Sequence, residues 1–128
     1  EGGEMITYSC GEKLCAAEFL QFAAAVWPGS YDADKTQAAL DTTVNIAARD
    51  GGKLVGCLRI LTDGYFFGTI TELLVLPEYQ RRGIGSALLR LARENTPTLL
   101  YFGAQPEAEA FYEKNGCKRS LKSYIIER

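Results

Sequence analysis

The chemistry-bearing stretch of the chain is Val75-Leu76-Pro77-Glu78-Tyr79-Gln80-Arg81-Arg82-Gly83-Ile84-Gly85-Ser86. An apolar run ends at a proline and a polar loop follows. The loop opens into residues 83–94, whose Ile84, Ala87, Leu88 and Leu91 share one helical face. The first turn of a helix has unpaired N–H groups and a partial positive charge. Glycines there let the backbone approach a ligand closely, and two arginines stand beside them. The combination suits an anion, and especially a pyrophosphate. A dinucleotide fingerprint would need a third glycine where Leu88 stands, and a Walker loop would end in Gly-Lys-Ser/Thr; neither occurs. A tight strand-to-helix turn whose glycines serve only packing is the alternative at this level.

The elements that must position this loop follow from periodicity and turn residues. Residues 6–8 read as a strand and residues 12–26 as a helix, closed by Pro28-Gly29. Residues 32–40 read as a second helix with Asp32 as N-cap. Strands at 44–48, 53–61 and 65–76 are joined by turns at Asp50-Gly51-Gly52 and Thr62-Asp63-Gly64. After the helix at 83–94 come a short strand at 98–102, expected to be buried on both faces, and a helix at 106–114 with proline in its first turn. Asn115-Gly116 stops that helix, and residues 124–126 suggest a last strand. The order implies an α/β domain with a mixed sheet: antiparallel hairpins first, then strands 65–76 and 98–102 as parallel neighbours across a helical crossover.

With 128 residues, one domain spanning 1–128 is expected. Hydrophobic residues at 47% and charged residues at 23% are ordinary for a soluble globular chain. No apolar run nears the ~20 residues that span a bilayer. Neither a secretory signal nor a membrane partner is expected, and the setting reads as cytoplasmic. A net charge of −2 argues against a nucleic-acid partner. Charge is uneven: residues 1–50 hold eight acids and three bases, and residues 51–128 eight acids and eleven bases. The basic part suits an anionic cofactor and the acidic part a cationic substrate. The four cysteines form no close pair and the chain has no histidine, so no metal site is expected and free, buried thiols are.

Beyond this bottom-up reading, the sequence resembles the GCN5-related N-acetyltransferase family. Gln80, Arg81, Arg82, Gly83, Ile84 and Gly85 match the family's Gln/Arg-x-x-Gly-x-Gly/Ala loop, and Val75 and Pro77 match its lead-in. Ala108, Phe111, Tyr112, Glu113, Lys114 and Gly116 match the family's fourth-helix segment. The resemblance covers residue 53 to the end; residues 5–50 fit in layout without a motif. Gln105 stands where many members have asparagine, and Cys117 where most have phenylalanine.

The resemblance implies a mixed sheet flanked by helices, with parallel fourth and fifth strands splayed by a bulge, and acetyl-CoA as co-substrate without a metal. It implies that amides from Arg81 to Ser86 hold the pyrophosphate, with Gln80, Arg82, Gln105, Phe111 and Lys114 also on the cofactor. It implies that Leu74, Val75 and Leu76 pair with pantetheine, an N–H near Leu74 stabilising the oxyanion. Tyr112 is implied as general acid toward the thiolate. The base falls to Glu72, placed just before the expected bulge, or to ordered water, and Glu72 could instead pair with Arg59. Trp27, Tyr31, Tyr65 and Phe66 are candidates for the acceptor side. The expected activity is direct acetyl transfer to a primary amine, that of a small molecule ahead of a protein N-terminus or lysine. A non-catalytic acyl-CoA-binding module is the alternative. A monomer or homodimer is expected.

Overall fold

The computed structural model describes residues 5–128. The strands are β1 (Ile6–Cys10), β2 (Val44–Asp50), β3 (Lys53–Thr62), β4 (Gly68–Val75) and β5 (Leu100–Tyr101). The helices are α1 (Ala16–Ala23), α2 (Ala33–Thr42), α3 (Ile84–Asn95) and α4 (Glu109–Lys114), with single 3₁₀ turns at Pro77–Tyr79 and Pro106–Ala108. The strands form one sheet in the order β1-β2-β3-β4-β5. The first three pairings are antiparallel and β4 and β5 are parallel, as the element order implied.

The helices cover both faces of this sheet. A side chain at Gly56 would meet Ile84 and Leu88 of α3, whereas Arg59 stacks on Phe19 of α1, 5.6 Å from the ring centroid. Positions an odd number apart on one strand face opposite ways, so α1 and α3 lie on opposite sides of β3. Leu58, Ile60, Ile84 and Leu88 are fully buried. Each contributes about 2 kcal/mol of apolar transfer.

Two irregularities shape β3 and β4. Arg59 pairs with Glu72 and Ile60 with Ile70, so Thr71 is an extra residue bulged out of β4. The expected bulge therefore exists, but it precedes Glu72. On the other side of β4, pairing with β5 is confined to Gly68 with Leu100 and Thr69 with Tyr101. Beyond the bulge that edge of β4 carries no strand partner among the described residues, and the two strands fork.

Several expected boundaries move. The first helix starts at Ala16, because the Gly11 and Glu12 amides both donate to the Asn45 carbonyl and hold that segment against β2. β4 starts at Gly68: the Asp63 carboxylate accepts from the amides of Tyr65, Phe66 and Phe67 and turns them into a loop. β5 is short and half-open, with Leu100 half-buried and Tyr101 exposed, contrary to a strand buried on both faces. Residues 124–126 form no strand, and Tyr124, Ile125 and Ile126 are all exposed. Cys57 is buried and Cys117 half-buried, but Cys10 and Cys15 are exposed, against the expectation of buried thiols throughout. Cys10 belongs to the outer strand β1, and Cys15 sits at the helix entrance. Among the described residues, no helix is long and apolar enough to cross a membrane.

Candidate active site

The glycine loop is strained where a ligand would need it open. Arg81 has φ of 65° and Gly83 φ of 84°, both left-handed. For Arg81, which carries a Cβ, this conformation costs about 1–2 kcal/mol. Gly83 is the N-cap of α3, and no side chain caps the helix. The Ala87 amide is the one that reaches back to the Gly83 carbonyl, at 3.0 Å. The amides of Ile84, Gly85 and Ser86 therefore precede the hydrogen-bond ladder of the helix. Left-handed turns beside an uncapped helix start make a concave array of N–H groups suited to phosphate oxygens.

Neighbouring side chains fix the loop. Gln80 donates its side-chain amide to the Val75 carbonyl at 3.0 Å, tying the loop to the end of β4. The Tyr79 hydroxyl donates to Asp50 at 2.5 Å. Its ring carries the Arg82 guanidinium at 5.0 Å and the Lys53 ammonium at 5.8 Å. Gly85 answers a different need. A Cβ there would lie 3.0 Å from Phe111, so this glycine admits the α4 phenylalanine against the start of α3. Of the two glycines, Gly83 meets a conformational demand and Gly85 a packing one.

The forked edge of β4 supplies the next surface. The Leu76 amide donates to the Val55 carbonyl at 2.9 Å. Groups alternate along a strand, so Leu74 also faces β3 while the amides of Leu73 and Val75 face the fork. Of the three residues 74–76, Val75 is thus the one whose N–H faces the fork, its carbonyl already accepting from Gln80.

Tyr112 of α4 is half-buried, its ring 4.8 Å from that of Phe102 and 5.2 Å from that of Phe111. Burial, with a smaller contribution from Cys117, pushes its hydroxyl above the ordinary tyrosine value, so it stays protonated near neutral pH. Gln105 and Lys114 bracket the same helix region and are exposed.

On the other face of the sheet Glu72 pairs with Arg59. Arg59 donates through Nε to Oε2 and through Nη2 to Oε1 at 3.2 Å, and Thr71 donates to Oε1 at 2.7 Å. Both side chains are little exposed, at 14% and 10%. Arg59 also lines an open pocket of about 170 Å3 with Phe19, Leu20, Trp27, Tyr31 and Leu40. Of the four acceptor-side candidates, Trp27 and Tyr31 line this pocket and stack on each other at 6.2 Å. Tyr65 and Phe66 do not line it: they sit on the β3–β4 loop, 77% and 83% exposed. Sequence reasoning missed Phe19, Leu20 and Leu40 here, because helical periodicity marks them only as core. Among the described residues, no group of three His, Cys, Asp or Glu could hold a metal ion.

Comparison with known proteins agrees with this geometry. Residues 41–118 match the family model described as an acetyltransferase (GNAT) domain. A search of curated proteins finds no match. A GNAT family acetyltransferase from Streptococcus pneumoniae TIGR4 superposes with a TM-score of 0.78 at 28% identity, over 97% of this chain and 99% of that one. An acetyltransferase from Trypanosoma brucei shares the fold with a TM-score of 0.73 at 17% identity, over 97% of this chain and 100% of its own. An aminoglycoside N-acetyltransferase in complex with CoA shares it with a TM-score of 0.74 at 14% identity, over 99% and 97%. An uncapped glycine turn, a forked β4 edge and a family match over most of the chain converge: this protein belongs to the GNAT family of acetyltransferases.

Proposed function

We propose that the chain transfers the acetyl group of acetyl-CoA to the primary amine of a small molecule, by direct attack in a ternary complex. The observation that carries this is the pair of left-handed residues, Arg81 and Gly83, before an uncapped helix that starts beside the forked edge of β4. In this reading the amides from Arg81 to Ser86 hold the CoA pyrophosphate, with Arg82 adding charge. Gln80 keeps the loop attached to β4. Val75 binds the pantetheine arm in the fork, flanked by Leu74 and Leu76. Gln105, Phe111 and Lys114 border the arm from the α4 side.

The amine nitrogen bonds to the thioester carbonyl carbon, and the oxyanion that forms is met by an N–H of the fork, from Leu73 or Val75. Collapse breaks the C–S bond, and the Tyr112 hydroxyl gives its proton to the leaving thiolate. The attacking nitrogen must shed a proton. An amine of pKa near ~10.4 is neutral in only about one molecule in 2,500 at pH 7, which costs about 4–5 kcal/mol without assistance. A carboxylate has about four lone-pair sites, and Arg59 and Thr71 use three of those on Glu72. The remaining site takes the proton directly or through an ordered water. The thiols of Cys10 and Cys15 suit a reducing compartment, so we place the reaction in the cytoplasm.

Calorimetry with CoA and a free-thiol assay with acetyl-CoA and amines test the reading. Binding heat and amine-dependent thiol release are expected. Absence of heat with CoA, or preference for ATP or NAD, would overturn it.

A further inference from the structure

We infer that the acceptor is a small monoamine with an aromatic body, which seats on Trp27 and Tyr31 and points its nitrogen at Glu72; the inference rests on the acetyl-transfer reading above. The pocket beside Arg59 touches the proposed proton path, because its one charged lining residue is bonded to Glu72. Glu72 itself does not line the pocket, but it lies on β4, two residues before Leu74, on the strand whose forked edge is proposed to hold the thioester carbonyl. Its other end is the Trp27–Tyr31 stack, with rings 29° from parallel and 40% and 54% exposed. Phe19, Leu20 and Leu40 form an apolar wall between the two ends.

Size and charge narrow the class. About 170 Å3 is roughly half the lower bound for a drug-sized ligand, which is room for one ring and a short arm. Among the described residues no carboxylate lines the pocket, and its one charged lining side chain is the Arg59 cation. A second or third ammonium group would thus lose water beside a like charge, with no carboxylate in the lining to meet it. A single ammonium can rest against the aromatic faces until it loses its proton. An apolar body gains by burial, and its desolvated amine is more readily neutral.

Trp27 is the chain's one tryptophan, so its fluorescence reports on the pocket. CoA-saturated protein is titrated with 2-phenylethylamine and, separately, with spermidine. Saturable quenching by phenylethylamine is expected at a Kd at least about 10-fold below that for spermidine, and Tyr31→Ala should erase most of that difference. In turnover, Trp27→Ala should raise KM for phenylethylamine about 10-fold while kcat and the heat with CoA hold. Equal or tighter spermidine binding, or a Tyr31→Ala variant with the preference intact, overturns the inference. Loss of CoA heat in the wild type sinks the acetyl-transfer reading itself, whereas CoA binding with spermidine preferred sinks the acceptor assignment alone.

Discussion

The two sides of the sheet are built from different materials. The side proposed to hold the donor consists mainly of backbone: two left-handed residues, an uncapped helix start and a strand edge without a partner, among the described residues, beyond Thr69. The side proposed for the acceptor consists of side chains: the half-buried Arg59–Glu72 pair, the Trp27–Tyr31 stack and the apolar wall from α1 and α2. Backbone groups present the same chemistry whatever the residue, so the donor side can hold a constant co-substrate. Side chains can be exchanged singly, so the acceptor side is where specificity can change without loss of CoA binding.

The hardest blow to this contrast is Arg59→Met. It leaves the half-buried Glu72 carboxylate without its guanidinium, and removing one member of a fully buried pair costs about 3–5 kcal/mol, the upper bound here. Denaturant unfolding should show that loss. The double variant Arg59→Met/Glu72→Met should recover most of it, because a matched apolar pair leaves no orphan charge. A double variant no more stable than the single would mean that packing against Phe19, not charge pairing, is what Arg59 supplies.

In the proposed mechanism Tyr112 is the donor side's exception, a side chain that gives up a proton. Tyr112→Phe keeps the ring contacts with Phe102 and Phe111 and removes the proton. We expect kcat to fall about 10- to 1,000-fold with acetyl-CoA affinity little changed. Because burial holds the hydroxyl above the ordinary tyrosine value, the wild-type rate should fall only at pH above about 10, and the variant should lack that limb. An unchanged rate would remove Tyr112 from the reaction.

A smaller change separates backbone conformation from packing within the loop. Gly83→Ala meets no neighbour, since no atom lies within 4 Å of a Cβ at that position, but it must hold φ of 84°. The strain is about 1–2 kcal/mol. If the loop keeps its shape, the cost appears as a lower Tm with CoA affinity intact. If it relaxes, CoA affinity falls about 5- to 30-fold. An unchanged Tm together with unchanged affinity would show that the left-handed turn is not required.

The same contrast explains what the residues disclosed before any coordinates. The loop was legible because its demands are local: Gly83 needs a left-handed φ, and Asp32 caps the Lys35 amide three residues on. The parallel β4–β5 neighbours followed from element order alone. The pocket beside Arg59 was legible only in Trp27 and Tyr31, because Leu20, Leu40 and Arg59 join them only through tertiary packing of α1, α2 and β3. The start of α1 was misplaced for the same reason. Leu14 and Cys15 fit helical spacing, but Asn45, 33 residues after Glu12, holds that segment through its side-chain amide. The bulge was anticipated, yet its position at Thr71 depends on the register with β3, which no local pattern encodes.

The smallest expected effect concerns how the acceptor side is held to the sheet. Arg49 of β2 binds both Glu12, in the segment before α1, and Glu18 of α1 at 2.8 Å. Burial pushes the Glu12 carboxyl up, but bonds from Arg49 and Ser9 outweigh it and leave the group below its ordinary value. The bond from Arg49 likewise holds Glu18 low. Folded-state values below the unfolded ones mean that the unfolded chain takes up protons first as pH drops. The clamp's stabilisation is therefore complete above about pH 4.5 and drains away as pH falls below it. Both carboxylates are partly exposed, so solvent screening limits the clamp to about 1 kcal/mol, or about 3–5 °C in Tm. Between pH 6 and pH 3 the wild type should lose more Tm than Arg49→Met, and the two curves should converge at the acid end. Parallel curves would show that the clamp contributes no pH-dependent stability. The backbone amides of the glycine loop do not titrate, so no matching acid limb should arise from them.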